Sequence, residues 1–197
     1  MSELLKRFTE TIRNNVDITD HEAGEIFSRF KPETVPAGSF FVRRLQICDR
    51  IGYMESGMIR HYHVYGNEEV TRWMSLENDF VTSMASFIQQ RPCTHWLQAV
   101  TDCRVWTIDK AEWDELHTRF EVCRRLWTRV LEINLIGFEE RLFHQLAGDA
   151  EQRYHYFRER FPRFLETVPQ KYIASMIGIK PESLSRLRSR ISNKGVS

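Results

Sequence analysis

Three residues near the end of the chain have the types and the spacing to read a nucleic acid. In the stretch VPQKYIASMIGIKPESLSRLRSR, Glu182, Ser185 and Arg186 stand at offsets of zero, three and four, which puts them on one side of a helix. An arginine donates two hydrogen bonds to the edge of guanine, a glutamate accepts one from the cytosine amino group, and a serine reaches phosphates or bases. Around them, Lys171, Lys180, Ser183, Arg188 and Ser189 are suited to phosphate oxygens.

The elements that must hold these side chains are written into the same stretch. Gln170 to Ile177 has the pattern of a short helix with Ile173, Met176 and Ile177 inward and Ala174 allowing close approach. Gly178 lets the backbone leave that helix where a side chain would obstruct it. Pro181 suits the first position of a second helix, and Glu182 in its first turn complements the helix dipole. Leu184, Leu187 and Ile191 then share one side, while Glu182, Ser185, Arg186 and Ser189 share the other. One face packs and the opposite face is polar and basic, as a recognition helix requires.

Charge supports this division. From Pro169 onward there are six Lys or Arg against a single acid, Glu182, whereas the rest of the chain holds 22 basic and 26 acidic residues. The formal net charge of +1 therefore combines a basic tail with an acidic body, and the tail fits a polyanionic partner. No signal-peptide pattern opens the chain, and no run approaches the roughly 18 to 20 apolar residues of a spanning helix. The expectation is a cytoplasmic protein with no membrane contact.

The remaining candidates for chemistry are weaker. Cys48, Cys93, Cys103 and Cys123 are scattered without a CxxC pair and read as core thiols. In HYHVYGNEE, His61, His63, Glu68 and Glu69 come near the ligand spacing of a cupin-like metal-binding barrel enzyme, which stands as one alternative. His61, His63 and His95 otherwise read as polar residues on strand faces, and Trp73, Trp96 and Trp106 as barrel core. A protein-interaction module whose terminal helices bind no DNA is the other alternative.

Upstream, the texture changes twice. Residues 1 to about 30 carry apolar residues at helical spacing, among them Leu4, Leu5, Phe8, Ile12, Ile26, Phe27 and Phe30. From Thr34 to Asp109, short β-branched and aromatic runs are separated by turn signals such as PAG, SG and YGN, the pattern of an antiparallel barrel or sandwich. Glu112 to Gly148 returns to helical spacing with two apolar stripes. Val122, Leu126, Val130, Ile133 and Gly137 form the first, and Leu131, Leu135, Phe138, Leu142 and Leu146 the second. A monomer's surface helix needs only one such face, so the second is a candidate dimer seam. The division expected is a barrel with N-terminal helices over 1–117, a long helix over 118–148 and a DNA-binding domain over 149–197.

The whole chain resembles the CRP/FNR superfamily of bacterial transcription regulators. The likeness runs through the PAG turn, the ESG turn at Glu55 to Gly57, LENDFVTS, the long helix and the helix-turn-helix, and its most specific match is the E-x-x-S-R pattern of Glu182, Ser185 and Arg186. It implies an α+β fold: an antiparallel jelly-roll barrel of the cyclic-nucleotide-binding type, a dimerisation helix, and a winged-helix-type helix-turn-helix whose wing is reduced. It also implies a homodimer on a palindromic double-stranded DNA operator, RNA polymerase as a further partner, no catalysis and no cofactor.

Where the cyclic-AMP-binding relatives carry F-G-E-[LA]-[AG]-L and then R-[ST]-A, this chain reads DFVTSMASF and RPCTHWL. Thr82 and Ser83 replace the glycine and glutamate, Cys93 replaces the arginine, and Thr94 follows it. These four mark the equivalent effector pocket. Arg91, two residues away, does not stand at the arginine's position. A buried phosphate without its cation is costly, so cyclic AMP is not the expected effector. Nor is there an N-terminal cysteine cluster of the iron–sulfur type.

Overall fold

A computed structural model describes residues 2–194. Two helices, α1 (Glu3–Arg13) and α2 (Asp20–Phe27), lead into eight strands: β1 (Lys31–Val35), β2 (Phe40–Val42), β3 (Arg50–Ser56), β4 (Ile59–Tyr65), β5 (Glu68–Ser75), β6 (Phe80–Val81), β7 (Trp96–Ala99) and β8 (Cys103–Asp109). A short helix, α3 (Met84–Gln89), interrupts them after β6. Six helices follow: α4 (Lys110–Arg119), α5 (Glu121–Ala147), α6 (Ala150–Arg160), α7 (Pro162–Thr167), α8 (Gln170–Ile177) and α9 (Pro181–Lys194).

The strands form two four-stranded sheets, ordered β1-β8-β3-β6 and β2-β7-β4-β5. The paired strands run antiparallel, as in β1 on β8 from Lys31↔Thr107 to Val35↔Cys103. This is the jelly roll of an α+β protein that the resemblance implies. Ile59 and His61 stand opposite Ala99 and Leu97, and all four are buried. The turn between β3 and β4 depends on Gly57, whose backbone is left-handed at φ 92° and whose added Cβ would lie 2.5 Å from the Asp102 carbonyl oxygen.

The chain divides into two compact units, one of Met1–His63 with Met74–Ile133 and one of Val64–Trp73 with Asn134–Ser197. In the first, α1 and α2 close one side of the barrel. Ser2 caps α1 and a Thr19/Glu22 capping box starts α2. Phe8 is fully buried, with its ring 4.9 Å from Phe27, 5.2 Å from Tyr53 and 5.9 Å from Phe80. In the second unit, α6 to α9 surround Tyr154, Phe157, Phe164, Ile173, Ile177, Leu184 and Leu187, all buried.

Two expectations change. The helical stretch from Glu112 to Gly148 is two helices, because Phe120 takes an extended backbone (φ −110°, ψ 121°) that ends α4. Trp73 is not barrel core: it packs edge-to-face on Phe161 and Phe164 at 5.1 and 4.9 Å within the second unit.

Phe8→Ala is expected to lower the stability of the barrel unit by about 3–5 kcal/mol, the cost of an aromatic cavity, measured by urea unfolding. A loss below about 1 kcal/mol would mean that α1 is not integrated into the core.

Candidate functional site

α8 and α9 meet across a tight turn. α8 ends at Gly178, left-handed at φ 72° and ψ 39°, with the Ile179 N–H donating to the Ala174 carbonyl at 2.9 Å and the Gly178 N–H to Ser175 at 3.2 Å. Arg153 of α6 closes the same end: its Nε donates to the Ile177 carbonyl and its Nη1 to Gly148, both at 2.8 Å. Pro181 then opens α9, and the Leu184 N–H donates to the Lys180 carbonyl at 3.1 Å.

This geometry sorts the side chains of α9. Leu184 and Leu187 are buried at 0% and 3% exposure. On the far side Glu182, Ser185, Arg186, Ser189 and Arg190 are all exposed. The three residues with base-reading chemistry thus share an open helix face. Ser183 and Arg188, both half-buried, lie at its two margins, and Lys171 and Lys180 are exposed at the head of α8 and in the turn. Ser189 Oγ donates back to the Ser185 carbonyl at 3.1 Å. Any wing would follow residue 194 and lies outside the described residues.

Two residues here escape sequence reading. Arg190 stands four after Arg186 on the same stripe, lines a cavity of about 320 Å³ with Arg186, Ser183, Leu187, Ile179 and Ala150, and makes an exposed ion pair with Glu151 at 3.6 Å. Its i+4 spacing from Arg186 was the available signal. Arg153 is a positioning residue with no sequence signal, because its partners are the carbonyls of Ile177 in α8 and of Gly148 in the turn before α6.

In the barrel, three of the four cassette-equivalent residues come together. Cys93 Sγ donates to Ser83 Oγ at 3.1 Å, the Ser83 N–H donates to Cys48 Sγ at 3.4 Å, and Thr82 Oγ1 donates to the Arg50 carbonyl at 3.0 Å. Ser83 and Cys93 are each 1% exposed. Thr94 is exposed and does not join them, since it alternates with buried Cys93 and His95. Arg91 is exposed too. The cradle is therefore neutral, and its donors are turned to protein partners. A cyclic nucleotide's phosphate does not fit it, for want of a cation and of a free backbone N–H at Ser83.

The histidines are more than strand-face decoration. His61 and His95 are buried, His61 Nε2 is 3.0 Å from Ser75 Oγ, and the His95 ring lies 5.1 Å from that of His63 and 6.3 Å from that of His61. His95 Nδ1 is 3.6 Å from Cys93 Sγ. The inward register of Ile59 and His61 was the signal for this. Among the described residues no group of three or more His, Cys, Asp and Glu could hold a metal ion, so the cupin-type alternative gains no support. All four cysteines are buried free thiols; burial pushes the Cys103 thiol up and the Cys123 thiol up to about 11, which keeps both protonated.

On α5 the two stripes have different fates. Val122 and Leu126 are buried and Val130 packs partly against the core. Leu135, Phe138, Leu142 and Leu146 are 69%, 44%, 58% and 80% exposed, and Ile136 and Phe143, outside the expected stripe, are also exposed. Among the described residues no helix is long and apolar enough to cross a membrane.

A jelly-roll barrel followed by a long helix and a helix-turn-helix defines a class of protein, and comparison with known proteins agrees with it. Residues 32–120 match the cyclic nucleotide-binding domain family. The fold of the chain is shared with several solved structures. It is similar to FixK2 from Bradyrhizobium japonicum, with a TM-score of 0.72 and 15% identity over 84% of this chain and 86% of that one. A CooA mutant from Carboxydothermus hydrogenoformans gives 0.70 and 14% over 95% and 85%. The c-di-GMP responsive global regulator CLP of Xanthomonas campestris gives 0.65 and 15% over 90% and 93%. No curated protein matches the chain in sequence.

Proposed function

We propose that this protein is a sequence-specific transcription regulator, a homodimer that reads a palindromic double-stranded DNA operator with α9 and catalyses no reaction. One observation carries the reading: Glu182, Ser185, Arg186 and Arg190 are exposed together on the helix face opposite buried Leu184 and Leu187, behind a glycine turn. In the major groove Glu182, Ser185 and Arg186 meet base edges, while Lys171, Lys180, Ser183, Arg188 and Ser189 hold phosphates. Arg190 joins the base-reading stripe, releasing an ion pair with Glu151 that is too exposed to hold it. RNA polymerase is the further partner this role calls for, and the aqueous interior of a cell is where such a protein works.

The exposed stripe of α5 supplies the dimer seam. Six large apolar side chains between Leu135 and Leu146 face solvent in the monomer, and a second copy related by a two-fold axis covers them. Two recognition helices are then presented to half-sites about one helical turn apart. The barrel takes an effector other than cyclic AMP, because Thr82, Ser83 and Cys93 offer a phosphate neither charge nor free N–H groups.

Selection of DNA fragments by the purified protein is expected to recover a palindrome. On that operator Arg186→Ala should cost about 1–3 kcal/mol per half-site and relax the preference at one base pair, whereas Lys180→Ala should weaken all sequences alike and lower the salt slope by about one. Equal losses on specific and random DNA for Arg186→Ala would reduce the arginines to a phosphate clamp. Absence of salt-sensitive DNA affinity would favour the protein-interaction alternative.

Leu135→Glu is expected to convert the dimer to a monomer in sedimentation at micromolar concentration while leaving the melting temperature of the fold nearly unchanged, since the side chain is 69% exposed. A monomeric wild type would refute the seam. Calorimetric titration with cyclic AMP should give no saturable binding in the micromolar range, and saturable heat would mean that another cation serves the phosphate.

A further inference from the structure

One turn on the barrel holds an exposed leucine in a backbone conformation that works against the fold. Arg43 to Gln46 close a β-turn in which the Gln46 N–H donates to the Arg43 carbonyl at 3.1 Å and the Arg43 N–H donates to Gln46 Oε1 at 2.9 Å. The Leu45 N–H donates across to the Cys93 carbonyl at 2.8 Å. These bonds fix Leu45 at φ 71°, where glycine or asparagine sits with least strain. Its side chain is 68% exposed, so burial does little to offset that strain. A local strain that the fold does not use points to a use outside the fold.

The surroundings of Leu45 define what fits there. Ile47, bridged to Pro92, and Ile88 of α3 are each 48% exposed. Ser86 ties these pieces together, its Oγ accepting the Cys48 N–H at 2.9 Å and donating to the Arg91 carbonyl at 2.6 Å. Arg43 and Arg44 flank the leucine with their guanidinium groups over the Phe40 and Trp96 rings at 4.1 and 5.7 Å. Cations ordered in this way lose less entropy on pairing. Arg91 is exposed beside them, and residues 40–48 and 80–98 contain these three arginines and no Asp or Glu.

We infer that this face is a docking surface for an acidic protein segment bearing large aliphatic side chains. Apolar side chains of the segment cover Leu45, Ile47 and Ile88, and its carboxylates pair with Arg43, Arg44 and Arg91. Nucleic acid offers its backbone no aliphatic contact for a leucine, and lipid-binding clusters carry about 4–8 basic residues where this face has three arginines. The inference is independent of the DNA-binding reading.

A random peptide library displayed on phage, selected on the full chain and counter-selected on Arg43→Glu/Arg44→Glu, tests it. Enriched peptides should combine Asp or Glu with Leu, Ile or Phe. A labelled copy of one should bind the wild type in fluorescence anisotropy and lose at least about tenfold in affinity on Leu45→Asn, the effect of removing a central anchor. The Leu45→Asn variant should melt at or above the wild-type temperature, because asparagine tolerates the left-handed region. The inference is overturned if no peptide is enriched, if the enriched peptides lack carboxylates, or if Leu45→Asn binds equally well. It is also overturned if that variant melts well below wild type, or if phosphatidylserine vesicles rather than peptides bind in a Leu45-dependent way.

Discussion

Gly178 must leave α8 with a left-handed backbone, and the direction of every side chain on α9 follows from that one residue. With φ at 72° the chain turns back within three residues, Ile179 donates into the last turn of α8, and Leu184 and Leu187 are driven into the core. A residue with a Cβ would be strained there by roughly 1–2 kcal/mol. The rotation of α9 about its own axis is thereby set by packing, and the polar residues are left on the open side. Arg153 fixes the arrangement from behind by bonding the carbonyls at both Ile177 and Gly148. Which residues of α9 stand exposed thus depends on a backbone constraint outside that helix.

The barrel follows a different economy of charge. Two buried imidazoles, two buried serine hydroxyls and the Cys93 thiol are linked within it, from Ser75 to His61 and from Ser83 through Cys93 to His95. A buried polar cluster of this kind is tolerable where its members hydrogen-bond one another, as Cys93 does with Ser83 and His61 with Ser75. It gives the barrel a hydrogen-bonding interior in which Ser83 and Cys93 are turned to protein partners.

Apolar surface that the monomer leaves open is the third theme. The side chains of α5 beyond Ile133 and the Leu45 turn both expose large aliphatic groups next to ordered elements. Exposure of a single large apolar side chain is ordinary, but six on one helix, or a leucine held in a left-handed turn, is not. The two patches differ in extent: the helix offers a long run of apolar side chains, whereas the turn offers one leucine framed by Arg43 and Arg44.

The sequence by itself determined the antiparallel barrel, the terminal helix pair and the face of α9 on which Glu182, Ser185 and Arg186 lie, because periods of 2 and 3.6 and a glycine between two helices are local properties of the chain. Only the tertiary structure decided that Phe120 separates α4 from the long helix, that Trp73 packs on Phe161 and Phe164, and that His61 and His95 are buried together. It decided as well that Arg153 braces the turn and that Leu45 stands exposed at a positive φ. Trp73, Arg153 and Leu45 depend on partners tens of residues away, Phe161, Ile177 and Cys93, and distant partners leave no period or spacing in the sequence around the residue they control.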